Sequence, residues 1–193
     1  MNLPFNWFDI LLLAVLGIGL VQGRKRGMSG EWVGVVKWLI ILFGCALISQ
    51  PLGGLIAAPG VFGPTVSCVV AYLSAMLLVF LVFARFQRRL HAKPVDTDFF
   101  GRGEYYLGMA CGGVRLNCML LVVLALLHAR SFSPSEIKAI DDYQASEYGS
   151  HVFPTFPAVQ AAVFDKSLTG PWIKQYLWFL LINTAENPPK QTR

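Results

Sequence analysis

Residues 61–84 read VFGPTVSCVVAYLSAMLLVFLVFA, a run of apolar and small residues that contains no charged side chain. A helix needs about 20 such residues to cross the hydrocarbon core of a bilayer, which is about 30 Å thick. The run lacks the alternation of a barrel strand, and a backbone exposed to lipid must satisfy its own hydrogen bonds. The stretch therefore predicts a transmembrane helix.

Three further apolar runs occupy residues 5–21, 32–48 and 105–127. Each approaches or exceeds the roughly 17 residues that a short transmembrane helix needs. Charged residues make up only 14% of the chain, against about 25% in an average soluble protein. We therefore predict an all-α integral membrane protein with four transmembrane helices, which form one domain over residues 1–130.

Basic residues cluster in the connecting segments 22–31 and 85–104, whereas segment 49–60 has no charge and is rich in Pro and Gly. Because cytoplasmic loops carry an excess of Lys and Arg, both basic segments are predicted to face the cytoplasm. The N-terminus, segment 49–60 and everything after residue 127 then face outward. The first run is followed by Arg24, Lys25 and Arg26, so we interpret it as a retained span rather than a cleaved signal peptide.

The last part of the chain, residues 131–193, is predicted to be an outward-facing helical tail. Ser133, Pro134 and Glu136 have the spacing of a helix start with a capping box, and a helix of about a dozen residues should end near Gly149. Segment 171–182 is too short to span a membrane, so we expect a short amphipathic helix at the membrane interface. Its predicted apolar side carries Trp172, Tyr176, Phe179 and Leu180.

No catalytic, cofactor or metal site is predicted. The four cysteines lie inside apolar runs without a C-x-x-C pair, so we interpret them as small hydrophobic residues at helix contacts rather than zinc ligands or disulfides. Asp141 and Asp142 are neighbours, which diverge by about 100° on a helix and do not form an acid/base pair. The basic residues lie in short loops and do not predict nucleic-acid binding. We expect a protein that is not an enzyme.

Two charged residues within the apolar runs are candidate functional groups. Asp9 is either a proton-handling or ion-pairing group, or an N-terminal helix acid that is favoured by the helix dipole and exposed to the lipid headgroups. Arg115 lies about ten residues into its run, where an unpaired guanidinium costs about 3 kcal/mol. Its partner is expected to be Asp9, a partner subunit or helix carbonyls. Because Gly108 and Gly112 share its face, Arg115 marks either an assembly contact or a polar pathway.

Four short motifs follow one another along the chain. They are Trp7-x-Asp9, Arg26-Gly27-x-x-x-Glu31, Leu107-Gly108-x-x-x-Gly112-x-x-Arg115 and Ser150-x-x-x-Pro154. In this order around four apolar runs, they resemble the colicin V production protein family of bacterial inner-membrane proteins over roughly residues 5–160. Glu104 stands where the family usually has Asp, and Leu116 replaces the Gly expected after Arg115.

The resemblance implies a multi-pass inner-membrane protein that acts in toxin (bacteriocin) production or export and in envelope homeostasis. Its partners are expected to be the lipid bilayer and either further copies of the chain or other membrane proteins. The alternative is a small oligomeric channel or transporter with a polar route along Asp9 and Arg115. The motif residues proposed as the site are Trp7, Asp9, Arg26, Gly27, Glu31, Gly108, Gly112 and Arg115.

Overall fold

The computed structural model describes residues 6–60, 63–90, 103–130, 132–148 and 154–182, and all regular structure in these ranges is helical. The α-helices are α1 (Trp7–Ala57), α2 (Pro64–Leu90), α3 (Gly103–His128), α4 (Pro134–Tyr148), α5 (Phe156–Phe164) and α6 (Gly170–Tyr176), and a 3₁₀ turn follows at Trp178–Leu180. Helices α1, α2 and α3 are each long and apolar enough to cross a membrane. The all-α prediction is confirmed for these ranges. The Ser150-x-x-x-Pro154 motif, apart from Pro154, lies outside them.

Helix α1 reverses its direction at Gly27. This residue has φ 70° and ψ 173°, a backbone conformation that glycine tolerates and that interrupts the helix. We call residues 7–26 the first arm and residues 28–57 the second arm. Along the first arm, Gly19 packs on Gly112 and Gly23 on Gly108, so contacts with α3 move toward its start. Along the second arm, the contacts with α3 move back toward the end of α3. The two arms therefore run past α3 in opposite directions.

The segments predicted as loops around α1 are largely helical. Segment 22–31 contains a single non-helical residue, Gly27, and segment 49–60 stays helical to Ala57 although Pro51 lies inside the helix. The prediction of a loop over 49–60 is therefore wrong. Gly53 lies so close to α2 that a Cβ atom on it would be 2.6 Å from the Cys68 sulfur. The helix thus continues through this segment despite the unfavourable helix propensities of Pro and Gly, with Gly53 packed against α2.

Helix α2 packs antiparallel to the second arm of α1. Besides the contact of Gly53 with Cys68, Trp38 meets Phe80 edge to face, with the ring centroids 5.5 Å apart. Three cysteines, including Cys68, are buried free thiols within the core. They fill helix contacts in the manner of small hydrophobic residues.

The outward face of α2 is apolar. Leu77, Leu78 and Leu81 are 60%, 62% and 63% exposed. Monomeric soluble proteins rarely expose large contiguous apolar patches, whereas lipid covers such a face without penalty. Together with the three long apolar helices, this face indicates a membrane protein.

Helix α4 begins and ends where the sequence predicts. The backbone N–H of Ser133 donates to a Glu136 carboxylate oxygen at 2.9 Å, which is one arm of a capping box. The helix runs to Tyr148, next to the predicted end at Gly149.

The single amphipathic helix predicted over residues 171–182 is interrupted. Helix α6 ends at Tyr176, and the chain continues as a 3₁₀ turn. Leu180 is only 3% exposed, and Leu181 and Ile182 join it in the core. The chain turns inward to bury these three side chains, so they do not continue the exposed aromatic side of α6.

Candidate functional site

Arg115 and Glu31 form an ion pair inside the bundle. Arg115 Nη1 lies 3.1 Å from Glu31 Oε2, and the Glu31 side chain is fully buried while that of Arg115 is 16% exposed. The second arm brings Glu31 to α3 one turn after the bend at Gly27. Arg115 therefore has the counter-charge that its depth demands. Within the chain this counter-charge is Glu31 and not Asp9, whereas a contact of Arg115 with a partner subunit stays a prediction.

Gln22 and Arg26 complete this cluster. Arg115 Nη2 donates to Gln22 Oε1 at 2.9 Å, and Arg26 Nη1 lies 3.3 Å from Glu31 Oε1. The Arg26 side chain is 57% exposed, so the cluster leads from the surface at the basic end of the bundle to the buried arginine. We call these four residues the charge cluster. It ties α3 to both arms of α1.

Glycines allow the first arm and α3 to approach closely enough for the charge cluster to form. A Cβ atom on Gly23 would lie 2.0 Å from the Gly108 carbonyl oxygen, and one on Gly112 would lie 2.2 Å from the Gly19 carbonyl oxygen. The two backbones are therefore in direct contact, as in small-residue interfaces between membrane helices. The small-residue stripe predicted on α3 is confirmed, but it is covered by the first arm of the same chain.

Glu104, at the start of α3, holds the bend at Gly27. Its Oε1 accepts hydrogen bonds from the Ser29 backbone N–H, at 3.4 Å, and from the Ser29 hydroxyl. Ser29 lies in the first turn of the second arm, where backbone N–H groups lack helical partners and a negative charge is favoured. The same carboxylate packs against Gly27. Glu104 therefore fixes the geometry from which Glu31 reaches Arg115.

Asp9 lies at the opposite end of the first arm and binds the tail. Its carboxylate accepts hydrogen bonds from the Leu168 N–H at 3.2 Å, the Thr169 N–H at 3.3 Å and the Thr169 hydroxyl at 2.8 Å. It also accepts from the Asn6 N–H at 3.0 Å, which completes a capping box at the start of α1. Asp9 is thus an N-terminal helix acid, as the second interpretation predicts, but its predicted exposure to headgroups is wrong, because the tail covers it and leaves it only 3% exposed.

The structure does not bring Asp9 and Arg115 together. Gln22, which bonds to Arg115, is more than three helical turns from Asp9, or about 20 Å along the first arm. Asp9 and Arg115 therefore do not lie next to each other along the polar route that the sequence predicts.

Trp7 lies at the surface of the bundle. Its ring is 48% exposed, whereas the ring of Phe8 is 2% exposed and belongs to the core. The two rings meet edge to face, with centroids 6.3 Å apart. The Trp7-x-Asp9 motif therefore combines a surface aromatic with a buried carboxylate.

The charge cluster is suited to holding helical segments of the bundle together. Each carboxylate oxygen of Glu31 faces a guanidinium, at 3.3 Å for Arg26 and 3.1 Å for Arg115. Within the described ranges, no three His, Cys, Asp or Glu side chains are grouped in a way that could hold a metal ion. The arrangement can link three helical segments through buried charges, and such pairs are costly to break.

Searches among curated proteins and among solved structures gave no match. A family model described as "Colicin V production protein" matches residues 8–173. This range includes the charge cluster, the glycine contacts and the clamp between Asp9 and the tail. The resemblance seen in the motifs is confirmed, and the chain belongs to the colicin V production protein family.

Proposed function

We propose that this chain is a non-enzymatic protein of the bacterial inner membrane that supports the production or export of a peptide toxin and the homeostasis of the envelope. Family membership supports the link to toxin production, and the apolar helices support the membrane location. The non-enzymatic part rests on the charge cluster. Its single carboxylate, Glu31, lies between the guanidinium groups of Arg26 and Arg115 where three helical segments meet, an arrangement that supports a scaffold role.

We further propose that the chain crosses the membrane four times. The first arm is about 30 Å long and the second about 45 Å, so each alone is long enough for the hydrocarbon core. The reversal at Gly27 supports separate crossings. Arg24, Lys25 and Arg26 stand at this bend, at the same end of the bundle as Arg85. The positive-inside rule then places this end in the cytoplasm and both termini outside.

Single cysteines in a cysteine-free background test this topology. We expect Lys25→Cys and Lys93→Cys to react with an impermeant thiol reagent only when the cytoplasmic face is opened. Ala58→Cys should react from the outside in intact spheroplasts. If α1 crossed only once, Lys25→Cys would lie inside the bilayer and resist labelling from either side, and that result would reject four crossings.

A deletion strain that carries a colicin V-type toxin system tests the function. We expect loss of toxin activity from the medium and poor growth in the presence of detergent, and the wild-type gene should restore both. Glu31→Gln should restore neither, because it breaks the charge cluster. Gly17→Leu should complement, since nothing lies within 4 Å of a Cβ at Gly17. Normal toxin release and normal detergent tolerance in the deletion strain would contradict the proposal.

Assembly with further copies of the chain, or with other membrane proteins, is proposed to use the outward apolar faces. The glycine stripe of α3 is not available for it, because the first arm already covers Gly108 and Gly112. The proposed contact between copies therefore uses a different surface from the Gly108 and Gly112 face that the sequence indicates.

A further inference from the structure

Large aromatic side chains are exposed at the end of the bundle opposite the bend, where the tail packs on α1. Their exposed fractions lie between 47% and 66%. One of them begins the first arm, two residues before Asp9, and the others belong to α6 and the 3₁₀ turn. Clusters of exposed apolar side chains mark surfaces that contact a membrane or another protein. We call this set the aromatic collar, and it consists of Trp7, Trp172, Tyr176, Trp178 and Phe179.

Two contacts place the tail part of the collar at the level of Asp9. The Asp9 carboxylate accepts the Thr169 hydroxyl at 2.8 Å, and α6 begins at the next residue. After α6, the Phe179 ring stacks on the ring of Phe43 in the second arm, with the centroids 6.4 Å apart. At 1.5 Å per residue, Phe43 is about 24 Å from Gly27 along the second arm, and Asp9 is about 27 Å from Gly27 along the first. Both ends of the segment therefore lie at nearly the same height above the bend.

This height corresponds to the far edge of a membrane. The hydrocarbon core of a bilayer is about 30 Å thick. When the basic residues at the bend lie in the cytoplasmic interface, the collar reaches the boundary between hydrocarbon and headgroups in the opposite leaflet. Trp and Tyr are enriched at this depth, because their rings are apolar and their N–H and O–H groups are polar.

The two flanks of α6 differ in chemistry. Ile173 and Leu177 pack against the core. Trp172 and Tyr176 lie together on one flank, with their ring centroids 4.3 Å apart. Successive helical residues are about 100° apart, so Lys174 lies on the other flank. The helix therefore separates an aromatic flank from a charged one.

The charged flank lies farther from the bend. Lys174 Nζ is 3.3 Å from Asp165 Oδ1. Asp165 follows Phe164, whose ring centroid is 5.1 Å from that of His128 at the end of α3. His128 is six residues farther beyond the glycine contacts of α3 with the first arm than Asp9 is, which is about 9 Å. The ion pair is therefore on the water side of the Asp9 level.

We propose that the aromatic collar is a membrane-binding surface that lies in the headgroup layer of the outer leaflet. The aromatic flank of α6 faces lipid, its charged flank faces water, and Asp9 holds the tail at this depth. The collar continues the apolar face of the first arm, where Ile10 and Leu13 are each 57% exposed. Unlike the separate amphipathic helix expected from the sequence, it joins the first arm to the tail, and α1 sets its depth. The surface rests on the four proposed crossings, but not on any role in toxin export.

Depth-dependent fluorescence quenching tests the collar in full-length protein reconstituted into phosphatidylcholine vesicles. One reporter keeps only Trp172 and a second keeps only Trp7, and the other four tryptophans of each are replaced with Phe. The lipids carry bromine either near the glycerol or near the methyl end of the acyl chains. We expect stronger quenching of both reporters by the shallow bromines. The ratio of shallow to deep quenching should be the same for both, because Asp9 ties the two segments to one level.

Tyr143→Trp, in a chain whose own tryptophans are all replaced with Phe, is the control. Tyr143 is 65% exposed on α4, and none of the described side chains of α4 is buried. Acrylamide in the water should quench Trp172 severalfold less than this control, and brominated lipid should not quench the control.

The reporters distinguish failure of the topology from failure of the collar. If the shallow bromines do not quench Trp7, the four crossings fail and the collar fails with them. Shallow quenching of Trp7 without quenching of Trp172 would reject the collar alone. A Trp172 that is shielded from acrylamide but not quenched by lipid would be covered by protein, for example a second copy of the chain, which would also overturn the proposal.

A difference measurement needs only one substitution at an exposed site. Quenching of the wild-type protein minus that of the single variant Trp172→Phe gives the contribution of Trp172. This contribution should show the same preference for shallow bromines as the reporter. Its absence would overturn the collar even if the reporters with several substitutions did not fold.

Discussion

Gly23→Leu is expected to destabilise the folded protein by about 3 kcal/mol or more, the upper range for overpacked sites. A Cβ atom at this position would lie 2.0 Å from the Gly108 carbonyl oxygen and 3.0 Å from the Gly112 Cα. Both neighbours are backbone atoms, so no side-chain rotation relieves the clash. The first arm must then move away from α3, which also separates Gln22 from Arg115.

Thermal unfolding in detergent, followed by circular dichroism, measures this effect. Gly17→Leu is the matched control, because it makes the same chemical change on the same arm where nothing lies within 4 Å of the added Cβ. Its stability should stay near that of the wild type or rise slightly, since leucine favours a helix more than glycine does. Equal unfolding temperatures for Gly23→Leu and Gly17→Leu would show that the first arm does not pack on α3 in this way.

Glu31→Gln is expected to lower the free energy of unfolding by about 3–5 kcal/mol, because it leaves a buried guanidinium without its counter-charge. Gln22 still accepts one hydrogen bond from Arg115 in this variant, but it carries no charge. Removing both charges has a different outcome. The double variant Glu31→Leu with Arg115→Leu should be more stable than either single leucine variant, since well-packed apolar side chains often replace buried ion pairs without loss.

Denaturant titration of all three leucine variants and of Glu31→Gln measures these differences. The exposed pair of Arg130 and Glu136, with side chains 59% and 49% exposed and an N–O distance of 3.7 Å, provides the control. Replacing both with Gln should change stability by about 1 kcal/mol or less. A Glu31→Gln protein as stable as wild type, or a double leucine variant less stable than both singles, would show that Glu31 and Arg115 are not paired.

Much of the helical architecture was predictable because long apolar runs and capping residues act locally. The uncharged run at 61–84 predicts α2, and the 105–127 run predicts α3. Ser133 and Glu136 predict the start of α4. The loops were less predictable. Pro51 and Gly53 look like helix breakers in the sequence, and only the packing of Gly53 against Cys68 shows why the helix continues.

The candidate site was predictable in part. The sequence alone determines that this is a helical membrane protein, that Arg115 is too deep to stay unpaired, and that Gly108 and Gly112 admit a close backbone. These conclusions depend on hydropathy, charge and helical spacing, which each segment carries by itself. Only the tertiary structure decides that Glu31 is the partner of Arg115 and that Asp9 holds the tail. Those pairings depend on the direction in which the chain leaves Gly27 and on which helix faces meet, and no single segment contains that information.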